Sequence, residues 1–339
     1  MSERILIVAP SWVGDAILSE PLVAVLREPL EEPIVDVLAP AWCAPIYHRM
    51  RGIRNVIENP LAHRELGLRK RRAIAASLRA QEYTRAFVLP NSFKSALIPW
   101  LARIPRRIGY VGEARGMILT DVRRLDRKAY PRLVDRFVAL AANPGEILPT
   151  ASAPVLVPNA PNAGEAIRTL GLATRRPVAI FCPGAEYGPA KRWPTEHFAT
   201  LARRLIDSGY AVWLIGSAND RAAADPLAAQ VPEIRNACGR TDLGTAIDLL
   251  ATARVVVSND SGLMHAAAAV GVPLVGLFGS SSPEYTPPLS PLARVARIDI
   301  VCSPCFQREC PLGHFKCMRE LSPSAVYDLA RLGTNQDLP

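Results

Sequence analysis

Residues 255–279 read VVVSNDSGLMHAAAAVGVPLVGLFG, and their order decides the fold. The β-branched run Val255–Val257 predicts a buried strand that breaks at Ser258-Asn259-Asp260-Ser261-Gly262. A helix of small residues follows through Met264 and Ala269, and Gly271-Val272-Pro273 leads into a second apolar strand. Strand, helix and strand in that order make a βαβ unit with a polar turn at the helix N-terminus. Such a turn gathers unpaired backbone N–H groups and the positive end of the helix dipole, which suits a phosphate or diphosphate. The spacing is neither GxGxxG nor GxxxxGK[ST], so neither an ordinary dinucleotide fold nor a P-loop is indicated. The alternative is a plain helix start, with Asp260 or Ser261 as N-cap.

The same alternation runs through the rest of the chain. Ile5–Ala9 predicts a strand, Pro10–Asp15 a turn, and Ile17, Leu18, Leu22, Val25 and Leu26 one face of a helix in which Pro21 forces a kink or a late start. Further strands are expected at Ile34–Leu38 and Arg85–Leu89, with a basic helix over 68–80. The Pro- and Ala-rich stretch 151–162, ASAPVLVPNAPN, reads as a linker. The pattern restarts with strands at Val178–Cys182 and Ala211–Ser217, and a last helix follows Ser322-Pro323. The expected architecture is α/β, with two Rossmann-like doubly wound domains at 1–158 and 159–322 and a C-terminal helix and tail at 323–339. Polar segments 10–15, 90–95, 183–194, 216–220 and 258–262 fall where strands end, so they are expected to face a cleft shared by the two domains.

Charge narrows the partners. The net charge is +9, and residues 1–158 hold 23 Lys and Arg against 15 Asp and Glu, while the remainder is nearly balanced. The clusters Arg69-Lys70-Arg71-Arg72, Arg103 with Arg106-Arg107, and Arg123-Arg124 with Arg127-Lys128 read either as solvated helix faces or as a surface for an anionic partner. Aromatics make up only 6%, too few for base-stacking platforms, so nucleic acid is disfavoured against a phosphorylated substrate or an acidic membrane surface. The absence of a long apolar run and of a basic leader with an apolar h-region points to a cytoplasmic protein.

Particular residues carry the chemistry. Lys191 lies between Pro189 and Trp193-Pro194, which restricts it and favours a fixed task such as neutralising a leaving diphosphate. Asp15, at the start of the first helix, is either a dipole partner or a general base towards an acceptor hydroxyl. Asp260 is ill suited to touch a phosphate and better suited to backbone N–H groups or a ribose hydroxyl. His265, one turn into its helix, is a packed core histidine or a donor to phosphate. Cys302, Cys305, Cys310 and Cys317, with His314 nearby, point to structural zinc or to free thiols, either packed or redox-active, rather than to disulfides.

The segments PSWVGD (10–15), APAWC (39–43), LPNSFKSALIP (89–99), CPGAEYGPAKRWP (182–194), GSAND (216–220), SNDSGLMHAAAA (258–269) and SSPEYTPPLS (281–290) resemble glycosyltransferase family 9, the ADP-heptose:lipopolysaccharide heptosyltransferases. The resemblance runs nearly end to end and implies a GT-B fold, with acceptor on the first domain and sugar nucleotide on the second. It implies inverting transfer of L-glycero-D-manno-heptose from ADP-heptose to the first heptose of the lipopolysaccharide inner core. Asp15 would be the base and Lys191 would hold the diphosphate. Gly184, Ala185, Asp220, Asp260, Ser261, Gly262 and His265 would surround the donor. The acceptor carries carboxylates and phosphates, which accounts for the basic first domain, and Trp12, Asn91, Ser92, Lys94 and Arg115 are the acceptor candidates. No catalytic cofactor is implied, no DxD motif is present, and peripheral attachment to the anionic inner face of the inner membrane is expected. Other family 9 core transferases, a non-catalytic nucleotide-sugar binding module and a Rossmann-type oxidoreductase are the competing readings.

Overall fold

The structure is a computed structural model that describes residues 3–28, 33–61, 65–143, 146 and 150–334. Residues 335–339 of the expected C-terminal tail lie outside them. The chain forms two compact units, Met1–Pro154 and Val155–Pro339.

The first unit runs β1 (Arg4–Val8), α1 (Val13–Leu18), α2 (Glu20–Arg27), β2 (Ile34–Pro40), α3 (Ala44–Tyr47), β3 (Ile53–Asn59), α4 (Leu68–Arg79), β4 (Arg85–Val88), α5 (Phe93–Leu101), β5 (Arg106–Tyr110), β6 (Asp121–Arg123) and α6 (Leu133–Val138). Its strands are parallel in the order β3-β2-β1-β4-β5-β6. Central strand β1 buries Ile5, Leu6 and Ile7 completely, as a parallel strand covered on both faces must. The expected kink at Pro21 is a full break: α1 ends at Leu18, Ser19 turns its hydroxyl onto the Ala16 carbonyl (2.7 Å), and Pro21 sits in the first turn of α2.

The second unit runs α7 (Ala160–Thr169), β7 (Val178–Cys182), α8 (Thr195–Asp207), β8 (Ala211–Leu214), α9 (Arg221–Gln230), β9 (Arg235–Asn236), α10 (Leu243–Leu250), β10 (Val255–Asn259), α11 (Gly262–Ala269), β11 (Leu274–Leu277), β12 (Ala293–Ala296), α12 (Lys316–Arg319) and α13 (Pro323–Thr334). The strand order is β12-β11-β10-β7-β8-β9, all parallel, which is the first unit's wiring repeated. In both units the first and fourth strands in sequence lie side by side and the connections leave in opposite directions. The carboxyl edge of the sheet at such a reversal is where α/β proteins bind ligands.

The expected linker is shorter than 151–162. Asn159 caps α7 by accepting from Asn162 N (3.1 Å), and fully buried Asp248 of α10 accepts from Asn159 N (2.9 Å) and Asn162 Nδ2 (2.7 Å). The C-terminal helix α13 is no separate appendage. It packs on α8 and on β10–β12, with Tyr327 Oη 2.8 Å from Ser208 Oγ and the Arg204 guanidinium 3.9 Å from the Tyr327 ring.

Trp193 ties the long loop between β7 and α8 to this core. Its indole is 3% exposed, meets the Phe198 ring edge-on at 4.8 Å and donates from Nε1 to the Leu321 carbonyl (2.9 Å). Trp193→Ala should therefore cost about 3–5 kcal/mol by chemical denaturation. Trp193→Phe keeps ring packing but orphans that carbonyl and should cost about 1–2 kcal/mol. Equal losses for the two variants would show that the hydrogen bond to Leu321 carries the anchoring.

Candidate active site

In the second unit, four loops leave the carboxyl edge of β7, β8, β10 and β11. Loop 183–194 leaves β7, and both its ends are fixed by one side chain at the end of β10. The fully buried Asn259 accepts from Trp193 N through Oδ1 (3.1 Å) and donates through Nδ2 to the Pro183 carbonyl (2.7 Å). Between those ends, Lys191 extends its Nζ to 2.5 Å from Asp260 Oδ2 and 5.1 Å from the Tyr187 ring centroid. Ser281, in the loop after β11, donates its hydroxyl to the same Asp260 oxygen. Lysine, aspartate and serine thus form a short, partly enclosed chain that fixes where the ammonium sits.

Asp260 is taken up by Lys191 and Ser281, so of the two residues offered as N-cap it is Ser261 that holds the position. Ser261 is the N-cap of α11 in extended conformation, and among the described residues no side chain caps that helix. Its first N–H groups remain available beside Lys191, which is the arrangement an anion requires. Gly184 is needed for close approach: a Cβ there would stand 1.9 Å from Asp220 Oδ1. Asp220 itself accepts from Ser217 N and Ser217 Oγ, both at 2.8 Å, so it staples the turn after β8 over Gly184. His265 is 5% exposed within α11, and its Nδ1 has no partner among the described residues. Burial pushes its pKa down to about 4, against the attraction of Asp260 and with the repulsion of Lys191. It is a neutral, buried imidazole.

In the first unit, Asp15 lies in the first turn of α1 and its charge is felt by Cys43 and Tyr47. Burial, with a smaller contribution from Asp15, pushes the Cys43 thiol up to about 12 and the Tyr47 hydroxyl above its usual range. The turn before Asp15 is braced from the β2–α3 connection, where Trp42 Nε1 donates to the Ser11 carbonyl (2.9 Å). Trp12 and Trp42 are both about half exposed.

Asn91, Ser92 and Lys94 stand at the β4–α5 turn, as expected, with Asn91 exposed and the other two partly so. Arg115 is corrected. It is wholly buried and donates to the Tyr110 carbonyl (2.8 Å), the Pro90 carbonyl and Asn91 Oδ1 (3.0 Å), so it holds this turn from inside and does not reach an acceptor. Burial lowers its pKa to about 10. Several residues of the basic clusters are internal too. Arg71 is 4% exposed and donates to the Lys94 and Leu66 carbonyls, Arg106 and Arg123 pair with Asp121, and Arg107 donates to Ile118.

Cys302, Cys305, Cys310 and Cys317 line, with His314 and Ala190, a small apolar cavity of about 20 Å³. All are free thiols, and among the described residues no group of three or more His, Cys, Asp or Glu is arranged to hold a metal, so the structure gives the expected zinc no support. This segment instead braces the Lys191 loop: Ala190 N donates to the Arg308 carbonyl (3.0 Å), Arg308 Nε to the Tyr187 carbonyl (2.6 Å) and Tyr187 Oη to the Phe306 carbonyl (2.7 Å). Asn259, Ser281 and Tyr187 were not singled out in the sequence. Their only signal is polar or aromatic character at the end of a strand or in the loop that follows it.

The model of glycosyltransferase family 9 (heptosyltransferase) matches residues 71–316. The chain belongs to glycosyltransferase family 9. Lipopolysaccharide heptosyltransferase 2 of Escherichia coli strain K12 is 44% identical over 337 residues, covering 96% of this chain and 97% of the relative. The solved structure of the E. coli ADP-heptose lipopolysaccharide heptosyltransferase II superposes with a TM-score of 0.89 at 41% identity, over 98% of this chain and 99% of that one. By contrast, lipopolysaccharide heptosyltransferase 1 of Pseudomonas aeruginosa PAO1 is 35% identical over 135 residues, which is 40% of this chain and 38% of that relative. The family's two-domain GT-B architecture is therefore the architecture of this chain.

Two outcomes follow from the site's electrostatics. Asp260→Asn leaves Lys191 without its counter-charge and should cost on the order of 2–3 kcal/mol, less than a fully enclosed pair because the lysine side chain is 17% exposed. Chemical denaturation of the variant measures this. His265 has a folded pKa near 4 and an unfolded pKa near 6.5, so on acidification the unfolded chain takes up the proton first. Its contribution to stability is complete above about pH 6.5 and is lost as the pH falls towards 4. Melting temperatures should therefore fall less steeply across that window in His265→Asn than in the unsubstituted protein. Parallel curves would mean that burial does not shift the titration of His265 in the fold.

Proposed function

We propose that this enzyme transfers L-glycero-D-manno-heptose from ADP-heptose to the first heptose of the lipopolysaccharide inner core. The observation that carries this reading is end-to-end identity of 44% with a heptosyltransferase 2, against a partial match to a heptosyltransferase 1. The site chemistry suits it. In the second unit, Lys191 and the uncapped N-terminus of α11 offer preorganised positive charge for a diphosphate, held by Asp260 and Ser281. Gly184, Ala185, Ser261 and Gly262 supply close backbone approach around it, with Asp220 as the staple over Gly184 and His265 as a neutral packing group.

In the proposed reaction the acceptor hydroxyl oxygen attacks the anomeric carbon of the heptose while the bond from that carbon to the ADP oxygen breaks. Asp15 takes the hydroxyl proton and Lys191 meets the charge left on ADP. A single displacement of this kind inverts the anomeric centre and forms no covalent enzyme intermediate. Trp12 offers an indole face to the acceptor sugar, and Asn91, Ser92 and Lys94 contribute polar contacts at the neighbouring turn. The proposed setting is the cytoplasmic face of the inner membrane. Among the described residues no helix is long and apolar enough to cross a membrane, and the surplus of Lys and Arg in the first unit favours an anionic surface.

Purified protein incubated with ADP-heptose should turn over monoheptosyl-Kdo2-lipid A, whereas turnover of the bare Kdo2-lipid A alone would overturn the reading. Asp15→Ala should lower kcat by roughly 10²–10⁴-fold with donor binding retained. Lys191→Ala should lower kcat by about a hundredfold or more and also weaken ADP binding. Full activity in Asp15→Ala would remove Asp15 from the reaction.

A further inference from the structure

The first unit carries a cavity of about 390 Å³ lined by Asn91, Tyr110, Val111, Arg124, Leu125 and Arg127. It opens at the carboxyl ends of β4, β5 and β6, on the same sheet edge as Asp15, and Asn91 follows β4, the immediate neighbour of β1. Its polar lining is made of donors. Asn91 Oδ1 already accepts from Arg115 (3.0 Å), which fixes the amide and leaves its NH₂ as the free end. Tyr110 donates its hydroxyl to the Arg136 carbonyl (2.6 Å), so its ring forms wall and its hydroxyl is engaged. Asp126 lies between the two arginines, but its Oδ1 accepts from Lys128 N (2.8 Å) and Ala129 N (3.1 Å). Neighbouring Arg123 and Arg106 are paired with Asp121, whereas Arg124 and Arg127 meet neither a carboxylate nor a carbonyl among the described residues.

We infer that Arg124 and Arg127 form an anion subsite that grips the acidic substituent of the acceptor saccharide, a carboxylate or a phosphate, and so decide which saccharide the first unit accepts. This rests on the proposed function for the acceptor's identity. Two guanidinium forks and an amide on one cavity wall match a multiply charged oxyanion, and the cavity has room for a charged sugar residue. Both side chains are exposed and without partners among the described residues, so their removal leaves no buried group unsatisfied there and should leave the fold intact.

The test uses the full chain and a deacylated, water-soluble heptosylated acceptor, which removes the bilayer from the assay. Arg124→Gln and Arg127→Gln should each raise the acceptor KM by about tenfold, with kcat, donor KM and Tm unchanged, and the double variant should raise it further. Acceptor stripped of phosphate, and acceptor with its sugar carboxylates reduced to alcohols, separate the two anions: the gap between the native protein and the double variant closes with the one that is bound. Calorimetric binding of the deacylated acceptor reads the subsite independently of transfer. Absent turnover with arginine-dependent binding would sink the proposed reaction and keep the subsite. An unchanged acceptor KM in the double variant would overturn the subsite. So would lost binding to phosphatidylglycerol vesicles with the acceptor KM intact, which would assign the arginines to a lipid surface.

Discussion

One buried amide fixes the loop that carries Lys191 in the second unit. Asn259 grips the loop 183–194 at both ends, by Pro183 and by Trp193, from the last position of β10. Twelve residues of Pro- and Gly-rich chain would otherwise leave the sheet with little to restrain them, and Lys191 would sample solvent with its loop. The amide has one acceptor and two donors and uses both kinds on backbone, which neither an aspartate nor a leucine of similar size can do. Lys191, Asp260, Ser281 and the α11 N-terminus are then set by that closure.

The first unit reaches the same end by a different route. There the turn after β4 is held by a buried cation, Arg115, which binds the carbonyls of Pro90 and Tyr110 and the side chain of Asn91. A guanidinium has five donors and no acceptor, so it can satisfy several carbonyls at once where a neutral side chain would satisfy one. Burying it is costly, and the depressed pKa of Arg115 reflects that cost, which the attraction of Glu113 offsets only in part. The two units therefore share a wiring diagram but not a solution for fixing the loops at their reversal points.

What the sequence made legible follows from what repeats in it. The apolar runs Ile5–Val8, Val178–Cys182 and Val255–Val257 are buried on both faces and announce themselves as strands. The breaks after them, at 10–15, 183–194 and 258–262, announce the polar loops at the carboxyl ends of those strands. The strands at 106–110, 121–123 and 235–236 were not legible, because RRIGY, DVR and RN carry charge where the apolar pattern is sought. Arg115 misled for a related reason: an arginine in a loop reads as surface, and nothing local discloses that three acceptors surround it. The role of Asp260 was equally hidden, since Lys191 and Asp260 are 69 residues apart. Pairings across such distances are properties of the closed sheet.

The strand order also governs how this chain comes into being. Central strand β1 cannot complete its pairing until β4, some eighty residues later, has been made, because Ile5 pairs with Arg85. In the second unit β7 waits in the same way for β10, since Ala179 pairs with Val255. During synthesis each unit therefore presents a long apolar strand with one open edge, the kind of surface that chaperones cover and that aggregates form upon. The reversal point is, on the ribosome, the seam that joins the two halves of each sheet, and it closes only once the fourth strand has been made.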